Sequence, residues 1–84
     1  MTRDEILHAI AEHLADELGI DAATVTEDSR FKEDLDADSL DLYTLVQELE
    51  DRYGVKMSDQ QAAEITTVGQ AVAFVLAHTA GSGE

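Results

Sequence analysis

Three stretches of this chain repeat apolar residues at intervals of three and four, and nowhere do apolar and polar residues alternate with the period of a strand. Each stretch therefore has one face to bury against the others, which points to packed helices. The first places Ile6, Leu7, Ile10, Ala11, Leu14 and Leu18 at helical spacing after a capping box of Thr2 with Glu5. It predicts a helix over about residues 3 to 18, closed by Gly19 as a left-handed cap with Ile20 packing back after it. The second stretch, Leu42, Leu45, Val46, Leu49 and Tyr53, predicts a buried stripe on a helix over about 39 to 53, which Gly54 stops. The third, Val68, Ala71, Val72, Val75 and Leu76 or Thr79, follows a capping box of Thr67 with Gln70 and predicts a helix over about 68 to 79.

The connections differ in kind. From Gly19 to Ala37 no period survives, and a loop this long must do something or plug the core; Val25, Phe31 and Leu35 are the candidate plugs. After Gly54, Val55 and Met57 form an apolar pair, and Ser58 or Asp59 is placed to cap a short helical turn through Gln61 to Glu64 that leads to Ile65. The expected fold is all-α, a bundle of three main helices and one short one, with a long loop between the first two. It forms a single domain over residues 1 to 80, and residues 81 to 84 read as a flexible tail.

A chain of 84 residues has room for one thin core, and with two Phe, two Tyr and no Trp that core must be mainly aliphatic. The net charge of −14 argues against nucleic acid and anionic membranes as partners and steers the chain towards basic patches on other proteins. Self-repulsion at this charge means that added salt or divalent cations should raise the melting temperature; a melting temperature indifferent to salt would contradict this. There is no cysteine, hence no disulfide and no thiolate metal site, and any thiol chemistry must be imported on a prosthetic group. No run reaches the ~18 apolar residues of a membrane span. A cytoplasmic monomer is expected.

Chemistry gathers at Asp36-Ala37-Asp38-Ser39-Leu40-Asp41, where the irregular acidic stretch turns into the second helix. Two readings of Ser39 stay open. Its hydroxyl, like the Asp38 carboxylate, suits a helix cap; equally, a serine at a helix N-terminus is well placed to carry a phosphate ester. Asp34, Asp36 and Asp38 alternate as a calcium loop begins, but the sixth place is Ser39 instead of Gly and the twelfth is Leu45 instead of Glu, so only weak divalent binding by clustered acids is expected. A hydrolase would need a Gly-x-Ser-x-Gly elbow and a base, and His8, His13 and His78 are not evidently placed to serve; no catalytic residue is assigned. His8 and His13 lie off the apolar stripe and are expected on solvated surface, without a metal. The outer face of the second helix carries Leu40, Tyr43, Thr44, Gln47, Glu48 and Asp51, a mixture that suits a partner surface as well as an ordinary exposed one.

The run Phe31-Lys32-Glu33-Asp34-Leu35-Asp36-Ala37-Asp38-Ser39-Leu40-Asp41 closely resembles the Asp-Ser-Leu prosthetic-group site of acyl carrier proteins. Leu45-Val46, Leu49-Glu50, Tyr53-Gly54-Val55 and Ile65-Thr66-Thr67-Val68-Gly69 are similar to the corresponding stretches of the freestanding bacterial carriers of fatty-acid and polyketide synthesis. The resemblance runs from about Ile6 to His78. It implies that a holo-carrier synthase transfers phosphopantetheine from coenzyme A to Ser39, with Asp38 beside the synthase's magnesium and phosphate. The arm's thiol would then hold acyl intermediates as thioesters for acyl-transfer, condensing and reducing enzymes, and the chain itself would be no catalyst.

By the same resemblance, Asp41, Glu48 and Asp51 would meet basic residues of the synthase and of successive partner enzymes, in contacts weak enough for a shuttle to leave quickly, and the outer face that also carries Leu40, Tyr43, Thr44 and Gln47 would be the docking surface. Leu42, Leu49, Met57, Ile65, Ala71 and Val75 are the candidates to line an acyl-chain pocket. Thr44 stands where many fatty-acid carriers have an acid, Tyr43 where a smaller aliphatic is common, Ser58 for a frequent Pro and Asp36 for a usual Gly. The changes at 43 and 44 bear on which enzymes the chain serves. A peptidyl carrier, or an acidic helical module whose serine is only a cap, remains the alternative.

Overall fold

The computed structural model describes residues 2–79, so the expected tail at 81 to 84 lies outside the described residues. Among the described residues there are four helices, α1 (Arg3–Leu18), α2 (Ser39–Tyr53), α3 (Asp59–Glu64) and α4 (Val68–Thr79), with a single 3₁₀ turn, Ala22–Thr24, in the long loop. α1 opens on the expected capping box: Thr2 Oγ1 accepts from the Glu5 amide at 3.2 Å and Glu5 Oε1 from the Thr2 amide at 3.0 Å. It ends on Gly19 in the left-handed conformation, φ 72°. Helix α3 starts directly after Ser58, one of the two caps expected for it, which completes a capping box with Gln61.

The core is built where α1 packs against α4 and α2. Ile6, Ile10, Ala11 and Leu14 meet Val68, Ala71, Val72 and Val75 from α4 and Leu45 and Leu49 from α2. Helix α3 buries no residue of its own. Only the flanking Val55 and Met57 are buried there, outside the main cluster. Two expectations are corrected. The α2 stripe is narrower than its sequence pattern, since Leu42, Val46 and Tyr53 are half-buried. His13 is also half-buried, its Nε2 enclosed without a hydrogen-bond partner, because the buried face of α1 is wider than the apolar stripe; His8 is exposed and pairs with Glu12 at 2.8 Å.

The long loop is held by hydrogen bonds to the start of α4. Phe31 donates its amide to Thr66 O at 3.0 Å, while Val68 and Gly69 donate to Ser29 O at 2.9 Å and Glu27 O at 2.8 Å, around a one-pair bridge of Arg30 with Thr67. The loop carbonyls thus satisfy first-turn amides of α4 that have no acceptor within the helix. Val25, Phe31 and Ala37 plug the core; Leu35, the expected third plug, is only half-buried. A two-pronged pair of Arg3 with Glu27 ties the same loop to α1, and its hydrogen bonds hold the Glu27 carboxyl below the usual carboxylate range. That stabilisation is present at neutral pH and is lost as acid protonates Glu27.

Gly69 sits where the loop comes closest. A Cβ there would stand 2.9 Å from the Glu27 carbonyl oxygen. Gly69→Ala is expected to destabilise the fold by about 1–3 kcal/mol through this clash, although alanine is the better helix former. Urea denaturation reads the result, and an unchanged or raised midpoint would contradict it.

Candidate functional site

Ser39 is delivered by a turn anchored at Phe31, whose ring is 1% exposed. The amides of Asp34 and Leu35 both donate to Arg30 O at 3.0 Å, and Ala37 donates to Phe31 O at 2.8 Å, which closes the turn. Asp36 adopts φ 56°, a left-handed conformation that aspartate tolerates better than most side chains. Ala37 then turns into the core, and Asp38, Ser39 and Leu40 follow it exposed at the entry to α2.

At that entry Asp38, and not Ser39, is the cap. Asp38 Oδ1 accepts from the Asp41 amide at 3.0 Å and Asp41 Oδ2 accepts from the Asp38 amide at 3.1 Å, a reciprocal capping box. Ser39 is the first helical residue, exposed, and its hydroxyl makes no hydrogen bond among the described residues. The reading of Ser39 as merely a cap is thereby overturned: Asp38 is the residue at the N-cap position, where its carboxylate takes the third amide of the helix, and Ser39 is already inside the first turn. Two of the acids ahead of the serine are also occupied. Asp34 Oδ2 accepts from the Arg30 amide at 2.9 Å, and Glu33 pairs with the Arg30 guanidinium at 2.8 Å. No group of His, Asp or Glu among the described residues is arranged to hold a metal ion.

A cavity of about 620 Å³ opens beside Ser39 and runs between α2, α3 and the loop. Its α2 wall is Ser39, Leu42, Tyr43, Val46, Gln47 and Glu50; Met57, Ala62, Ala63 and Ile65 stand opposite, and Arg30 and Phe31 border it on the loop side. Leu42, Met57 and Ile65 of the expected lining are brought together here. Leu49, Ala71 and Val75 are instead in the main core cluster, away from this wall. Val46, Ala62, Ala63 and Glu50 had not been singled out for the cavity, although Val46 stands seven residues, two helical turns, beyond Ser39.

On the outer face, Leu40 (68% exposed) and Tyr43 (56%) are large apolar groups in solvent beside the serine. Gln47 and Asp51 are exposed, while Thr44 is half-buried and donates its hydroxyl to Asp41 O at 2.8 Å. Glu48 pairs with Arg52 at 3.3 Å, and Asp41 serves the cap, so Asp51 is the acid of this face with no partner among the described residues.

Comparison with known proteins follows the same lines. The family model described as "Phosphopantetheine attachment site" matches residues 8–75. An acyl carrier protein of Rubrobacter xylanophilus is 50% identical over 78 residues, covering 93% of this chain and 96% of that one. Among solved structures, the acyl carrier protein of Enterococcus faecalis superposes with a TM-score of 0.78 at 40% identity, over 93% of this chain and 99% of that one. That of Thermotoga maritima gives 0.79 at 29% identity, over 90% and 88%. The all-helical architecture, the site turn and these likenesses together show that the chain belongs to the acyl carrier proteins, a family whose prosthetic group is phosphopantetheine.

Proposed function

We propose that Ser39 takes phosphopantetheine as a phosphodiester and that the chain carries acyl intermediates between the enzymes of fatty-acid or polyketide assembly. The observation that carries this reading is the Ser39 hydroxyl: exposed, free of structural duty and at the mouth of the cavity. When bound, the group supplies the thiol that this cysteine-free chain lacks. Asp38 and Asp41 hold the first turn of α2 so that the hydroxyl is presented in one position. The half-buried Leu42 and Val46, with Met57 and Ile65, offer an acyl chain an apolar bed. Incubation with coenzyme A, magnesium and a broad-specificity phosphopantetheinyl transferase should raise the intact mass by one phosphopantetheine. No gain under conditions that load a control carrier, with no group already present, would sink the proposal.

The partners on this reading are the transferase and acyl-processing enzymes with basic patches, met through Leu40, Tyr43 and the acids of α2. Because Arg52 already neutralises Glu48, Asp51→Lys should weaken transferase binding more than Glu48→Lys, by about two- to fivefold in dilute buffer and less at high salt. Equal binding of Asp51→Lys and the parent at low salt would contradict this.

A further inference from the structure

We propose that Tyr43 and Gln47 form a polar rail that lays the phosphopantetheine arm back along α2, bringing its thiol end to the cavity beside Glu50 and Met57. The inference rests on attachment at Ser39, as proposed above. It starts from the order of residues on the cavity wall, where Ser39, Tyr43, Gln47 and Glu50 follow one edge of α2 and Leu42 and Val46 lie just inside it. With the helical rise per residue, Tyr43, Gln47 and Glu50 stand about 6, 12 and 16 Å along the axis from Ser39.

The arm has matching stops. Counted from its phosphorus, the two amides lie about five and nine bonds out and the sulfur about thirteen, which an extended chain spans as roughly 6, 11 and 15 Å. A tyrosine hydroxyl and a glutamine carboxamide each both donate and accept, which is what an amide group requires of a neighbour. Neither side chain spends its hydrogen bonds elsewhere among the described residues. On the inner edge, Leu42 and Val46 offer apolar surface to the arm's methyl and methylene groups. The far end is firm, because Glu50 Oε2 accepts from the Met57 amide at 2.9 Å. Two exposed hydrogen bonds are individually weak. They suffice here because the ligand is tethered, so its effective concentration at the rail is of millimolar order. Tyr43 also belongs to the exposed apolar patch with Leu40, so a partner that covers it competes with the rail and frees the arm.

The test uses holo protein prepared enzymatically and verified by mass, so that a failure of loading is seen before the rail is examined. The rate of thiol alkylation by iodoacetamide is measured across pH, with free pantetheine as reference. The parent should react more slowly than pantetheine throughout. Gln47→Leu and Tyr43→Phe should each speed it by about two- to tenfold, the worth of one hydrogen bond, while Gln60→Leu on the exposed side of α3 should change nothing. Independently of any variant, the side-chain amide resonances of Gln47 should shift between the apo and holo parent. A parent thiol as reactive as pantetheine, variants that leave the rate unchanged, or Gln47 signals indifferent to loading would each overturn the rail.

Discussion

A Ser39→Ala chain is expected to fold as well as its parent and to take up no phosphopantetheine at all. The two halves of that result come from different atoms. Loading fails because the accepting hydroxyl is gone. Stability survives because the helix is capped by Asp38 and Asp41, and Ser39 contributes no hydrogen bond to the turn. The substitution should stay within about 0.5 kcal/mol of the parent, as exposed changes usually do. Asp38→Ala, by contrast, removes the cap and should cost about 1 kcal/mol. Urea denaturation and intact mass, measured on the same preparations, read both. A Ser39→Ala chain that unfolds as easily as Asp38→Ala, or that still gains mass, would contradict the assignment of cap and acceptor.

Phe31→Ala should be far more damaging. The ring is fully buried, and the backbone of the same residue donates to Thr66 and accepts from Ala37, so one side chain holds both the core plug and the turn that presents Ser39. Truncating a buried phenylalanine costs about 3–5 kcal/mol, a large part of the 5–15 kcal/mol that stabilises a typical domain. In a chain of this size the melting temperature should fall by more than about 10 °C. The residual folded protein should also load more slowly, because the turn before Ser39 has lost its anchor. A melting temperature within two or three degrees of the parent, on the order of a small surface effect, would show that the loop is not a structural plug.

The helices were legible because their signals are local. Thr2 with Glu5 and Thr67 with Gln70 open α1 and α4, Gly19 and Gly54 close α1 and α2, and the apolar spacing between them leaves little freedom. The loop was not legible beyond its apolar plugs. What shapes it are backbone bonds from Glu27, Ser29 and Phe31 to residues some 40 positions away, for which no short pattern exists. Its one trace in the sequence is Gly69, a glycine inside a helical stretch, which marks the close approach of Glu27.

The site divides in the same way. Ser39 stood out from its neighbours, and the resemblance supplied its chemistry, but the competition between Asp38 and Ser39 for the cap turned on geometry of a single residue step. An apolar stripe also cannot tell a side chain that faces a cavity from one that faces the core. Val46 and Leu49 look alike in the pattern, yet Val46 lines the cavity and Leu49 is buried among α1 and α4. The pairing of Glu48 with Arg52 was available at a spacing of four on the helix, and it changes which acid of the docking face is free.

The measurement that bears most directly on this account is a fragment-ion mass spectrum of the enzymatically loaded parent, which locates the added group on the chain. A single phosphopantetheine on Ser39 is the expected result. A group found on another hydroxyl, such as Ser29 or Ser58, would contradict it.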